Sequence, residues 1–257
     1  MYKKYLSNTV SFKVTGGFTL IELSIVIVII GLIVAGVVGG QSLVNQSKVR
    51  SQIAEFDKYK IAYNAFKLEY DAIPGDFNDA SSYWGVSDGN GDRRINSPST
   101  HGHLPASENM KFFEHLSQAG LLPQSYNNTW QLDLGYPSLK IDSGKGLIVA
   151  ALIDSVGSGV NYQLHAWHIT ATYKSALFLN VGRPDVGNNY DRLIGTASPK
   201  IYHAIDQKID DGVAMSGIFK SYKAHSSSVG DCLNSRAGDY LLTNDQAACH
   251  AIFIIED

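Results

Sequence analysis

The stretch Gly16-Gly17-Phe18-Thr19-Leu20-Ile21-Glu22-Leu23-Ser24-Ile25-Val26-Ile27-Val28-Ile29-Ile30-Gly31-Leu32-Ile33-Val34-Ala35-Gly36-Val37-Val38 decides how this chain is read. From Phe18 to Val38 it holds one ionisable side chain, Glu22. Roughly 21 residues at ~1.5 Å each make about 31 Å of helix, which matches the ~30 Å hydrocarbon layer of a bilayer. The run is too long for the apolar core of an ordinary secretory signal, and no small-x-small cleavage site follows it. Ahead of it stand Lys3, Lys4 and Lys13 and no acid. The positive-inside bias therefore keeps residues 1–17 in the cytoplasm and sends the body across the membrane. A carboxylate at mid-bilayer costs at least ~2.5–3.5 kcal/mol on insertion scales. A plain N-terminal anchor is the simpler alternative, but it has no use for Glu22. Nor does it need Gly16-Gly17, which marks a cut just before Phe18.

Gly17 followed by Phe18-Thr19-Leu20-Ile21-Glu22 resembles the class III signal of type IV prepilins and type II secretion pseudopilins. The resemblance implies that a prepilin peptidase cuts between Gly17 and Phe18 on the cytoplasmic side and methylates the new amine of Phe18. Glu22 fills the place of the glutamate that most members carry at the fifth mature residue. There the family pairs the carboxylate with the N-terminal ammonium of a neighbouring subunit. Two opposite charges attract strongly in a low dielectric, and each alone is costly to bury. The alternative for Glu22 is a solvated carboxylate at headgroup level.

The chain has 257 residues and a formal net charge of −3. Losing the leader removes three of its 21 basic residues and none of its 24 acidic ones, which leaves a net charge of −6. No basic stripe with interleaved aromatics is present, so nucleic acid is not expected as a direct partner. Cys232 and Cys249 stand close together near the C-terminus. A body outside the cytoplasm is expected to join them as a disulfide, a position that fits the disulfide-bounded loop of many type IV pilins. Two free buried thiols are the alternative. No C-x-x-C pair or zinc spacing occurs.

After Gly39-Gly40 the pattern turns amphipathic. Val49, Ile53, Phe56, Tyr59, Tyr63, Phe66 and Tyr70 recur at spacings of three and four, which extends the helix to about Ala72 before Pro74-Gly75 stops it. The glycines in the middle fit either local melting or close helix packing. Four segments follow from this. They are a leader (1–17, cleaved), a membrane or filament-core helix (18–40), its amphipathic continuation (41–72) and a globular domain (73–257).

Within the Gly, Asp, Asn and Ser-rich stretch 74–104, Asp88-Gly89-Asn90-Gly91-Asp92 opens like a calcium loop, with Ile95 at the eighth place. Arg93 replaces the usual glycine, and Ser99 stands where a bidentate Glu belongs. Asp88, Asn90 and Asp92 are thus candidate calcium ligands, with Asp76 and Asp79 in reserve, against a metal-free loop of Asx turns. His101 and His103 read as surface histidines. Residues 107–119 predict a short helix stopped by Gly120. Residues 146–153, 162–170, 176–181 and 251–255 predict strands separated by turn residues. Ser198-Pro199 predicts a helix start, with the end at Asp210-Asp211-Gly212. Asp206, Asp210 and Asp211 there either hold an ion or dress the helix end.

The expected fold is α+β: a long N-terminal helix packed on a domain with an antiparallel sheet. No G-x-S-x-G, H-E-x-x-H or P-loop pattern is present, and His165 and His168 on one strand point to opposite faces. The chain reads as a structural subunit of a pilus or secretion pseudopilus rather than an enzyme. A pilus- or membrane-anchored binding module is the second reading. By the resemblance, its partners are the peptidase, other pilin subunits, an assembly ATPase, an inner-membrane platform protein and the membrane itself. The precursor is expected in a bacterial inner membrane with its body in the periplasm. The mature subunit then belongs to a periplasmic pseudopilus or an extracellular pilus.

Overall fold

The structure, a computed structural model, describes residues 17–95, 108–129, 131–141, 147–154, 175–184, 193–223, 231–234 and 238–256. The chain divides into two compact units, Met1–Val44 and Asn45–Asp257.

Helix α1 runs Leu20–Tyr70. Its apolar residues in the first unit are all exposed, from Leu20 and Ile21 to Leu43 and Val44. A helix that is apolar all round and covered by nothing of its own chain suits lipid or other subunits. Its length and composition are sufficient to cross a membrane. Nothing lies near Gly31, Gly36, Gly39 or Gly40, so another helix could approach there closely. The helix continues through these glycines without a break.

In the second unit α1 becomes one-sided. Val49, Gln52, Phe56, Tyr59, Ala62, Tyr63 and Phe66 are buried; against the face expected from the spacing, Gln52 and Ala62 are added while Ile53 and Tyr70 are only partly buried. Tyr70 ends the helix two residues before the expected stop. Asp71 turns left-handed there, at φ 48°.

Three short helices follow the body of α1: α2 (Ala80–Trp84), α3 (Glu108–Gln118) and, later in the chain, α4 (Pro199–Ile209). The sequence predicts α3 and α4 but not α2. Gly120 leaves α3 at φ +72°, as a helix stop requires. Ser198 precedes α4 with extended backbone and makes no side-chain cap bond.

The strands are β1 (Leu147–Asp154), β2 (Ser175–Pro184), β3 (Leu193–Ile194), β4 (Phe219–Lys223) and β5 (Cys249–Glu256). They form an antiparallel sheet in the order β1-β2-β5-β4, with β3 paired to the end of β2. A register shift between Leu177 and Phe178 interrupts the β2–β5 ladder. β5 is buried from Cys249 to Ile255. A strand covered on both faces reads as a continuous apolar run, here Ala251-Ile252-Phe253-Ile254-Ile255, rather than as an alternation. The strand expected at 162–170, with His165 and His168, and the pair His101 and His103 lie outside the described residues.

The core lies where α1 meets the sheet on one side and α3 on another. Phe56 stacks on Phe253 of β5, with centroids 4.9 Å apart, and tilts against Phe219 of β4 at 6.1 Å. Tyr59 meets Phe113 of α3 edge-on at 5.2 Å. Glu256, at the end of β5, accepts hydrogen bonds from Tyr63 and Lys67, one helical turn apart on α1. Cys232 and Cys249 are joined as a disulfide, with Cα atoms 5.0 Å apart. It ties the loop before β5 to the first residue of that central strand.

Candidate processing and assembly site

Gly17 and Phe18 precede the first turn of α1 in open surroundings. No atom lies within 4 Å of where a Cβ on Gly17 would stand, and Phe18 is 90% exposed. The scissile junction predicted from the sequence is therefore sterically open.

Glu22 is folded back on the helix start. Its Oε2 accepts a hydrogen bond from the Thr19 backbone N–H at 2.8 Å and another from the Thr19 hydroxyl at 2.8 Å. The Glu22 N–H donates to Thr19 Oγ1 at 3.3 Å. This reciprocal arrangement is a capping box, which satisfies two N–H groups that the first turn leaves without intrahelical partners. Among the described residues, Glu22 is thus held by Thr19 and by no cation. The sequence reading missed Thr19, although Thr-x-x-Glu ahead of an apolar run is its signature.

A second cluster lies in the acidic loop. Asp88 turns away from the loop's centre and accepts hydrogen bonds from the Ser81 N–H at 2.6 Å and the Ser81 hydroxyl at 2.8 Å. Those bonds hold its carboxyl below the ordinary range. Asn90 Oδ1 accepts from the Asp92 N–H at 2.8 Å in an Asx turn. The loop closes on Asp76, whose two carboxylate oxygens take the N–H groups of Asp92 at 3.1 Å and Arg93 at 2.7 Å. Burial pushes Asp76 above its usual value in spite of those bonds.

Among the carboxylate candidates, the structure brings Asp92 together with Asp76, one of the two in reserve, and adds Glu108. A carboxylate oxygen from each of these three lies within 4.8 Å of the others. Glu108 was not in the sequence's ligand set because it starts α3, sixteen residues after Asp92, and its Oε1 already accepts the Asn90 N–H at 2.9 Å. Asp79 precedes α2 and makes no side-chain cap bond there.

His115 fastens this loop to α3. The Gly75 N–H donates to Nδ1 at 3.0 Å, and Nε2 lies 3.0 Å from the Ser87 carbonyl oxygen. Nδ1 is thereby an acceptor, so the ring's proton sits on Nε2. Burial holds the imidazole down to about 4, which keeps it neutral. Gly75 is required here: at φ +94° a Cβ would stand 2.4 Å from the Glu108 carbonyl oxygen.

Asp206, Asp210 and Asp211 also bring carboxylate oxygens within 4.8 Å of one another. Each has a structural task. Asp206 is fully buried and meets the Tyr240 hydroxyl at 2.8 Å and the Gly212 N–H at 3.2 Å. Asp210 accepts from the Phe219 N–H at 3.0 Å, and Asp211 from the Val213 N–H at 2.8 Å. Burial raises Asp206 to about 6. These bonds dress the end of α4, and the same three carboxylates lie close enough to hold an ion, the other reading from the sequence.

Residues 13–38 match the family model described as the prokaryotic N-terminal methylation motif. This is the prepilin signal of type IV pilins and pseudopilins, and it spans the leader's end, the Gly17–Phe18 junction and Glu22. No curated protein and no solved structure matches the chain.

Proposed function

We propose that this protein is a filament subunit of the type IV pilus or type II secretion pseudopilus kind, released from its leader between Gly17 and Phe18 and polymerised through α1. The observation that carries the reading is the coincidence of three features at one place. The methylation motif covers residues 13–38. The Gly17–Phe18 junction is open. The helix behind it holds a stretch long and apolar enough to cross a membrane, and none of the described residues buries that stretch.

On this reading the leader's lysines stay in the cytoplasm, the peptidase frees the Phe18 amine and methylates it, and the body folds on the far side of the membrane. Glu22 then exchanges its bonds to Thr19 for the ammonium of a neighbouring subunit. The exchange replaces two neutral donors to the carboxylate by a cationic one in a low-dielectric setting. The force for extraction comes from an assembly ATPase and a platform protein that this chain does not supply.

Gly17→Ala should leave the leader attached, read by intact mass of the membrane-bound chain. Glu22→Ala should leave leader removal intact and reduce incorporation into sheared filaments at least tenfold, a loss of about 1.4 kcal/mol or more. A wild-type N-terminus at Met1, or one well past residue 30, would sink the reading. An adhesin-like binding body on the same anchor remains the second reading. It predicts normal filaments without this chain.

A further inference from the structure

We propose that Glu114 is a neutral carboxylic acid in the folded protein and that its proton joins it to Asn128, clamping the turn at 127–129 onto α3. Glu114 is 7% exposed. Its Oε1 accepts the backbone N–H of Asn128 at 3.3 Å. Two buried atoms there have no hydrogen-bond partner, Glu114 Oε2 and Asn128 Oδ1. Both are acceptors.

Left unmet, each such atom costs ~1–3 kcal/mol. A single proton resolves both. As an acid, Glu114 gains an O–H donor, and Asn128 Oδ1 is the acceptor without one. A hard cation in the same place would want six or more oxygens. Among the described residues, Glu114 belongs to neither group of carboxylates close enough to share an ion.

The surrounding charges can be named. On α3, Lys111 favours the ionised form but donates its own ammonium to the Asp88 carbonyl oxygen. The Asn128 N–H favours the ionised form too, and burial outweighs both. The neighbouring loop carries Tyr126 and Asp133, and the facing part of α1 carries Glu55 and Tyr59. None of these four is bonded to Glu114. β1 packs on α3, and its one ionisable residue is Asp154. Among the described residues, the cation that acts on the carboxyl is Lys111 of α3 itself.

The turn so held is built for clamping. The Asn127 N–H donates to the Leu134 carbonyl oxygen at 2.7 Å, and the Tyr126 N–H donates to Ser117 Oγ on α3 at 3.1 Å. Acidification strengthens the clamp. The folded acid keeps a proton that the unfolded chain releases in the ordinary carboxylate range, so stability falls as pH rises above that range.

The test is thermal melting of the full-length chain in detergent from about pH 8 down to about pH 5, for wild type and Glu114→Gln. The glutamine copies the neutral acid, with an N–H where the proposal puts the proton. It should melt a few degrees above wild type at the alkaline end, and the difference should close as the pH falls. Infrared spectra of wild type at neutral pH should show a protonated carboxyl stretch that Glu114→Gln lacks and Asn128→Ala shifts. A Glu114→Gln chain that melts lower at the alkaline end would overturn the proposal. It would mean an ionised carboxylate bound to a donor, such as a reversed Asn128 amide. A melting point that rises with added sodium or calcium in wild type but not in the variant would also overturn it, in favour of a cation. If Glu114→Gln fails to fold, the infrared band in wild type and its shift in Asn128→Ala decide alone, and absence of the band rejects the proposal.

Discussion

Arg93 holds a backbone conformation that suits glycine. Its φ is 63°, in the left-handed region, at the loop position where the calcium-loop pattern would have placed a glycine. The sequence showed a departure from the pattern. The structure shows that the backbone keeps the pattern's turn and bears the steric cost of a Cβ in it, ~1–2 kcal/mol. Arg93→Gly should therefore raise stability by about 1 kcal/mol, or ~2–4 °C for a domain of this size, in a melt without added metal. A lower melting point would mean that the exposed arginine side chain contributes more than its strain costs. Thr19 teaches a related lesson. It could have been read from Thr-x-x-Glu, but the unusual charge at Glu22 invited a search for a cation, and the nearer partner lay three residues back in the same chain.

The elements were legible in proportion to how far each depends on its neighbours in sequence. α1, α3 and α4 carry helical spacing together with a proline, glycine or aspartate at the ends, and the chain follows them within two residues. α2 has five residues and no periodicity to display, so only its packing of Trp84 against Phe66, Tyr70 and Phe77 reveals it. The two-residue β3 is invisible for the same reason. Asp76, Asp92 and Glu108 converge because His115 and Gly75 bring α3 under the loop, a contact between residues 40 apart in sequence that no local pattern encodes. The Cys232–Cys249 bond belongs to this scale, since it fixes a loop to the strand at the sheet's centre. It closes 17 residues. Replacing both cysteines with alanine should cost about 3 kcal/mol and lower the melting point by roughly 6–12 °C, with the far-UV circular dichroism unchanged at low temperature. An unchanged melting point would show that the loop is already ordered without the bond.

Across the whole molecule, the division after Val44 separates a helix whose apolar surface is bare from a domain with one continuous core. Residues 45–257 contain every buried residue described from Val49 onward, including the face of α1 that the sheet and α3 cover. This fragment should be soluble without detergent and unfold in a single cooperative transition within a few degrees of the full chain. Aggregation, or loss of the transition, would show that the first unit is needed for the core. The order of the strands was not legible. Turn residues between strands carry no pairing order, and the sheet places β5 between β2 and β4, which precede it in the chain. That placement has a consequence for synthesis. α1 leaves the ribosome long before β5, so although α3 and β4 arrive earlier, the place on Phe56 where Phe253 stacks stays open until that strand is made. Proteases and chaperones therefore see an unfinished core late in synthesis, and chains cut short within β5 should be degraded rather than misassembled.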